Sequence, residues 1–270
     1  MIRNECSFYS KALGEPVKVL VLLPIGSGYA IRQSSSLDEV YAQKTYPVLY
    51  LFHCANGCAE DWLYRTDTEA YAEEAGIALA IPDLHDSFGV DMAHGKKYGT
   101  FLSEELPRFL HHVFPISEAR AETAAAGCSM GGYTAAYHGL IHPERFSLIG
   151  VLSGALQGDV IHAWLTENGI ADDLNWKNIF GEARTQHEDT DVFQKIDPDA
   201  EYKPEFLVFC GEEETCNVEM NQRFHKKLKE AGYEASFAGG HGEHGWRYWD
   251  GCIHQVIERF AERIREDEED

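Results

Sequence analysis

Short apolar runs recur along the chain, separated by stretches with helical periodicity. The runs are Val17–Leu23, Pro47–His53, Ile77–Pro82, Thr123–Cys128, Leu148–Leu152, Phe206–Cys210 and Ala235–Ala238. Most are apolar at nearly every position instead of alternating, the pattern of strands covered on both faces of a parallel sheet. Between them, Ala59–Glu74, Tyr98–His112, Gly131–Ile141, Val218–Ala231 and Trp249–Glu266 read as amphipathic helices. The alternation predicts an α/β fold: a mostly parallel central sheet with helices on both faces. Glu5–Ser10 is placed as an added antiparallel edge strand. Residues 155–203 break the alternation, are mixed and acidic, and carry Trp164 and Trp176. They are expected to form a small helical, cap-like insertion over the carboxyl edge of the sheet, where such excursions shape pockets. The charged run Glu266–Asp270 is expected to fray. With no repeat and no low-complexity linker, residues 1–270 are read as one domain.

Composition narrows the function classes. The 45 acidic against 23 basic residues leave a formal charge of −22, which opposes binding to nucleic acid or anionic lipid. No segment has the length and apolarity of a membrane span or the makeup of a secretory leader, so a cytoplasmic location is expected. Seven cysteines, an odd number, are expected to be free thiols. Neither Cys54 with Cys58 nor Cys210 with Cys216 is followed by the spacing of a zinc site.

Candidate chemistry centres on Gly127-Cys128-Ser129-Met130-Gly131. This Gly-x-Ser-x-Gly pattern follows a strand-like run and precedes a helix-compatible one. That is the setting of a nucleophile elbow, a sharp turn that projects the central hydroxyl at the sheet edge above a helix N-terminus. Ser129 is the expected nucleophile. Cys128 would need glycines at 126 and 130, where Ala126 and Met130 stand, and is read as a buried packing thiol.

The elbow residues 127–133 resemble those of the putative-esterase family, which includes esterase D and S-formylglutathione hydrolases, tributyrin-type esterases and feruloyl esterases. Pro47–His53 with Gly57 and Trp62, Tyr98–Phe101 with Glu104–Pro107, and His244–Asp250 are similar to further family segments, in one order from about residue 17 to 260. The resemblance implies the α/β-hydrolase fold and a serine carboxylesterase that acts on short-chain acyl or aromatic-acid esters through an acyl-enzyme.

A triad in this fold runs Ser, acid, His along the chain. The C-terminal loop offers His241 and His244. The resemblance selects His244, two residues before Trp246, at the approach to a helix expected near Trp249. The acid should follow Phe206–Cys210, where Glu212, Glu213 and Glu214 stand; Asp159 is a further alternative. The family pattern aligns Glu214, a departure from its usual Asp that lengthens the side chain by roughly 1.5 Å. Two backbone N–H groups should form the oxyanion hole: Met130, after the nucleophile, and Ala55, in a loop where Cys54 replaces the family's usual glycine and which His53 could order. Trp62, Tyr98, Trp164 and Trp246 are candidates to line the substrate pocket.

The expected partner is a small-molecule ester, and the scheme calls for no cofactor or metal; a homo-oligomer is left open. S-formylglutathione hydrolysis is less favoured because the oxyanion loop lacks Gly-Leu-Thr, and an acyltransferase remains open within the same chemistry. A metal-dependent hydrolase built on His241, His244 and Glu212–Glu214, and a non-catalytic binding protein, are the distant alternatives.

Overall fold

The computed structural model describes residues 1–26, 28–34, 36–40, 44–169, 176–181 and 189–269. Eight strands form one sheet: β1 (Ile2–Ser10), β2 (Glu15–Leu23), β3 (Val48–Phe52), β4 (Ala78–Pro82), β5 (Thr123–Cys128), β6 (Leu148–Leu152), β7 (Glu205–Phe209) and β8 (Ala235–Ala238), in the order β1-β2-β4-β3-β5-β6-β7-β8. β1 pairs with β2, and β2 with β4, antiparallel; every later pairing is parallel. The edge strand starts three residues earlier than expected, at Ile2, because it hairpins along the whole of β2 (Ile2 opposite Leu23, Ser10 opposite Glu15).

The helices are α1 (Gly28–Gln33), α2 (Leu37–Val40), α3 (Asp61–Arg65), α4 (Thr68–Ala75), α5 (Tyr98–Thr100), α6 (Leu106–Val113), α7 (Met130–Ile141), α8 (Gly158–Glu167), α9 (Trp176–Phe180), α10 (Asn217–Glu230) and α11 (Trp246–Glu269). A π-helical stretch, Phe101–Glu105, joins α5 to α6. Among the described residues, no helix is long and apolar enough to cross a membrane. All seven cysteines are free thiols.

The strand period of two divides the core into two layers. Tyr50, Phe52, Ala125, Ile149, Val151, Phe206 and Val208 face α6, α7 and α10. Leu49, Leu51, Ala124, Ala126, Leu152 and Leu207 face α3, α4 and α11. Every residue of β3 to β7 is buried, which accounts for their almost wholly apolar sequence; the exceptions, Thr123 and Glu205, stand at the first positions of β5 and β7. α7 is also buried nearly all round, and its small residues let it lie close to the sheet: a Cβ at Gly139 would overlap Ile149. On the other face a Cβ at Gly150 would press on Val256 of α11.

Two of the expected helices differ most from the reading of the sequence. The helix read across Ala59–Glu74 is broken at Thr66, which is extended (φ −141°) and whose hydroxyl bonds back to the Trp62 carbonyl, while the Asp67 N–H donates to Asp250 of α11 at 2.8 Å. The C-terminal helix starts three residues earlier than expected, at Trp246, and runs to Glu269, through most of the charged run that begins at Glu266. Arg259 supports that last stretch by bonding Glu266 at 2.9 Å, and with Arg263 it also holds buried Glu205 at the start of β7.

The parallel strands all end on one edge, where His53, Ser129, Ser153 and the loops after β7 and β8 emerge. Segment 155–203 contributes α8 and α9 near this edge. α11 is held to the sheet by Ile253, Val256, Ile257 and fully buried Phe260. Phe260→Ala is expected to lower the unfolding free energy by about 3–5 kcal/mol. Urea denaturation with an unchanged m-value checks this, and a loss below about 1 kcal/mol would count against α11 as a structural brace.

Candidate active site

β5 ends at Cys128 and α7 begins at Met130, so one residue makes the whole turn. That residue, Ser129, has φ 55° and ψ −116°, a conformation that costs a non-glycine residue about 1–3 kcal/mol. It is held there from both sides: its N–H donates to Leu152 at 2.9 Å, and its carbonyl accepts from Ala155 at 2.9 Å and Tyr133 at 3.1 Å. The motif's glycines follow from backbone proximity. A Cβ at Gly127 would overlap the Gly131 carbonyl, and a Cβ at Gly131 would overlap the carbonyls of Phe52 and His53. Cys128, the rival nucleophile, is fully buried, and burial raises its pKa well above the ordinary thiol value.

His244 lies 2.9 Å from Ser129 (Nε2 to Oγ) and 2.6 Å from Glu214 (Nδ1 to Oε2). With Nδ1–H donating to the carboxylate, Nε2 presents its lone pair to the serine hydroxyl. Serine and histidine are 115 positions apart in the chain. The acid and histidine loops are laced together: Glu212 N–H donates to Gly240 at 2.9 Å, Glu213 N–H to Gly242 at 3.4 Å, and Gly242 N–H returns a bond to the Glu213 carboxylate. Trp249 meets the His244 ring edge-on, centroids 5.0 Å apart.

Glu214 is 5% exposed. Oε1 accepts from Ser153 Oγ at 2.5 Å and Gly211 N–H at 2.9 Å; Oε2 accepts from His244 and from Asn217 Nδ2 at 3.1 Å. Burial pushes its pKa up, but the bonds from His244, Ser153 and Asn217 outweigh burial and hold it below the ordinary carboxylate value. The alternatives sit elsewhere. Glu213 pairs with exposed His241 at 3.2 Å in a separate, solvent-facing contact, and Asp159 is exposed in the first turn of α8. Because the two histidines turn to different acids, they do not converge on one ion, and no cluster of three metal-ligating side chains occurs among the described residues.

The loop after β3 is built around His53. Leu84 N–H donates to its Nε2 at 2.9 Å, so the proton sits on Nδ1, which donates to the Cys54 carbonyl at 2.8 Å. Burial lowers the pKa of His53 and keeps it neutral. The Gly57 N–H also donates to the Cys54 carbonyl, at 3.2 Å. In a trans peptide the next N–H points the opposite way, so these bonds aim Ala55 N–H away from them. Three carboxylates take the other loop donors: Asp86 from Asn56 at 2.7 Å, Asp61 from Cys58 at 3.0 Å and Asp83 from Ala59 at 2.7 Å. The N–H groups of Ala55 and Met130 donate to no other described residue, and both residues line the pocket beside Ser129. Cys54 is not among the residues at positive φ, so a side chain is tolerated where the resemblance implied a glycine.

That pocket encloses about 290 Å³. Its apolar wall is Phe88, Ile161, Trp164, Leu165 and Trp176, and no Lys or Arg lines it. Of the four aromatic residues expected there, only Trp164 is present. Trp62 is wholly buried beneath the loop after β3, where its indole donates to the Phe52 carbonyl at 3.1 Å. Trp246 stands edge-on between Trp62 and Trp249. Tyr98 is 3% exposed in the core at the start of α5. Each is a packing residue because large aromatic surface is best buried where helices meet the sheet. The aromatic residues missed were Phe88 and Trp176, and Ile161 and Leu165 were missed with them: Phe88 follows the β4 edge in a turn of positive φ, and the other three lie in the segment already read as an insertion.

Two outcomes follow from this geometry. Gly131→Ala is expected to abolish most activity, because α7 must retreat from β3 and carry the Met130 N–H with it; turnover within about tenfold of wild type, with an unchanged melting temperature, would refute that coupling. Because the folded-state pKa of Glu214 is depressed, its ionisation stabilises the fold above the unfolded value and that contribution disappears as pH falls through the folded one. The stability gap between wild type and Glu214→Gln is therefore expected to be largest above about pH 5 and to shrink toward pH 3. Urea titrations across this range read the gap directly, and a gap that widens on acidification would contradict the assignment.

The profile of the family described as "Putative esterase" matches residues 10–259. An acetyl esterase from Caldicellulosiruptor saccharolyticus is 27% identical over 264 residues, 94% of this chain and 96% of that protein. Among solved structures, FphF, a fluorophosphonate-binding serine hydrolase of Staphylococcus aureus, superposes with a TM-score of 0.81 at 23% identity, covering 96% of this chain and 98% of its own. A ferulic acid esterase superposes with a TM-score of 0.76 at 22% identity, covering 97% of each chain. The sheet order and these structural likenesses identify the α/β-hydrolase fold, and the profile match across nearly the whole length shows that the chain belongs to the putative esterase family and is an ester-hydrolysing enzyme.

Proposed function

We propose that this enzyme hydrolyses short-chain acyl or aromatic-acid esters through an acyl-enzyme on Ser129, with His244 as base and Glu214 as the acid that orients it. The observation that carries this reading is the unbroken hydrogen-bonded line from Ser129 Oγ through the imidazole to Glu214, 2.9 and 2.6 Å. His244 Nε2 takes the serine proton as Oγ attacks the ester carbonyl, and the Nδ1–H bond to ionised Glu214 stabilises the imidazolium. The uncommitted N–H groups of Met130 and Ala55 receive the oxyanion. His244 then protonates the leaving alcohol and activates the water that releases the acid.

The acyl group occupies the slot of Phe88, Ile161, Trp164, Leu165 and Trp176, with α8 and α9 serving as a cap. An apolar wall without a cation, next to Glu213 and Glu214, favours an uncharged acyl chain of a few carbons or a single aromatic ring over an anionic one.

Ser129→Ala is expected to lower kcat on p-nitrophenyl acetate by about 10⁴-fold or more and to abolish labelling by a serine-directed phosphonate. A clean preparation of this variant that kept wild-type turnover would rule out the scheme. A panel of p-nitrophenyl esters from acetate to octanoate, with methyl ferulate alongside, ranks the acyl groups.

A further inference from the structure

The acid of the proposed triad is a glutamate, which has one more rotatable bond than aspartate and so needs more to hold its carboxylate in one place. We infer that Ser153 and Asn217 are positioning residues that clamp the Glu214 carboxylate, one on each oxygen, and so aim it at His244. The inference rests on the triad reading and deepens it.

Each clamp is itself held. Ser153 is fully buried, and its Oγ accepts the indole N–H of Trp249 at 2.9 Å. That directs the serine proton to Glu214 Oε1 at 2.5 Å. Its backbone N–H donates to Phe209 at 2.7 Å, and its φ of 50° is a conformation few non-glycine residues adopt. A strained residue at the end of β6 that spends its side chain on the acid marks a site where orientation is worth its cost. Trp249 is also the ring set edge-on against His244, so one indole touches the base and, through Ser153, the acid.

Asn217 begins α10, three residues after Glu214, and its N–H donates to the Glu214 carbonyl at 3.0 Å. Its Nδ2 is 3.1 Å from Oε2 and 3.0 Å from His244 Nδ1, so the amide borders the proton shared by acid and base. The Asn217 carbonyl accepts from buried Asn221 at 2.9 Å. Asn221 also exchanges two bonds with the Gly154 backbone, at 3.0 and 3.1 Å. The amide of Asn221 thereby joins the start of α10 to the residue after Ser153, and the two clamps belong to one network.

The test is a set of double-mutant cycles. Ser153→Gly, which removes the hydroxyl and suits the positive φ, and Asn217→Ala are each made alone and in a Glu214→Ala background. Hydrolysis of p-nitrophenyl acetate is followed across pH, with melting temperatures as a control. Each single variant is expected to lose about 10–100-fold in kcat, the rate equivalent of one hydrogen bond to a charged group, with KM within about twofold. The acid limb of kcat/KM should move to higher pH, because a carboxylate with fewer donors holds the imidazole proton more strongly. In the Glu214→Ala background neither substitution should matter further. Losses that multiply with that of Glu214→Ala, or an acid limb that stays in place, overturn the clamp and leave the triad standing. Wild-type turnover in Glu214→Ala itself overturns the acid assignment and the clamp together.

Discussion

The contact between the start of α7 and the end of β3 sets the terms for everything at the sheet edge. Gly131 lies against the Phe52 and His53 carbonyls, so close that a single added carbon would not fit. That approach leaves one residue to turn from β5 into α7 and drives Ser129 into its positive-φ conformation. It also places the Met130 N–H and the loop carrying Ala55 on the same side of the serine hydroxyl. In the proposed scheme a reacting carbonyl meets Ser129 and the Met130 and Ala55 N–H groups together, with little reorganisation left for the reaction itself.

The charge on the proposed acid is a local matter. A chain with a formal charge of −22 tends to raise the pKa of a further carboxylate, and burial works in the same direction. Glu214 is nonetheless held below the ordinary carboxylate value because its oxygens take four donors within one loop and its neighbours. The surrounding acids have other partners: Glu213 bonds His241, and Asp61, Asp83 and Asp86 bond the backbone of the loop after β3. Of these four acids only Glu213 also lines the pocket; the three aspartates shape the loop beside it.

The two departures from the family pattern have physical resolutions. Cysteine at position 54 is tolerated because the turn places its left-handed residue at Asn56 instead (φ 57°), and His53 directs the peptide by gripping the Cys54 carbonyl. Glutamate at 214 is accommodated by donors on both oxygens and by Gly211, where a Cβ would collide with the Gly242 carbonyl of the histidine loop. The two loops therefore pack backbone to backbone, which brings the acid and the base within 2.6 Å.

Much of this was legible in the chain. Apolar runs identified β5, β6 and β8 to the residue; β5 and β6 are buried at every position, while the partly exposed β8 is delimited only by its short run before Gly239. The elbow was legible because its glycines answer a local steric demand. The helix starting at Trp246 and the break at Thr66 were not, because each depends on a contact between remote segments, such as Asp250 taking the Asp67 N–H. The pocket walls were the least legible. An aromatic residue looks the same in sequence whether it faces a cavity or a core, and only the packing of α3, α5 and α11 put Trp62 and Tyr98 inside and laid half-buried Trp246 against the core, while α8, α9 and the loop after β4 turned Trp164, Trp176 and Phe88 to the site. Residue types and short-range spacing determined which chemistry was available; the burial of one face against another, a property of the whole chain, decided which side chains could reach it.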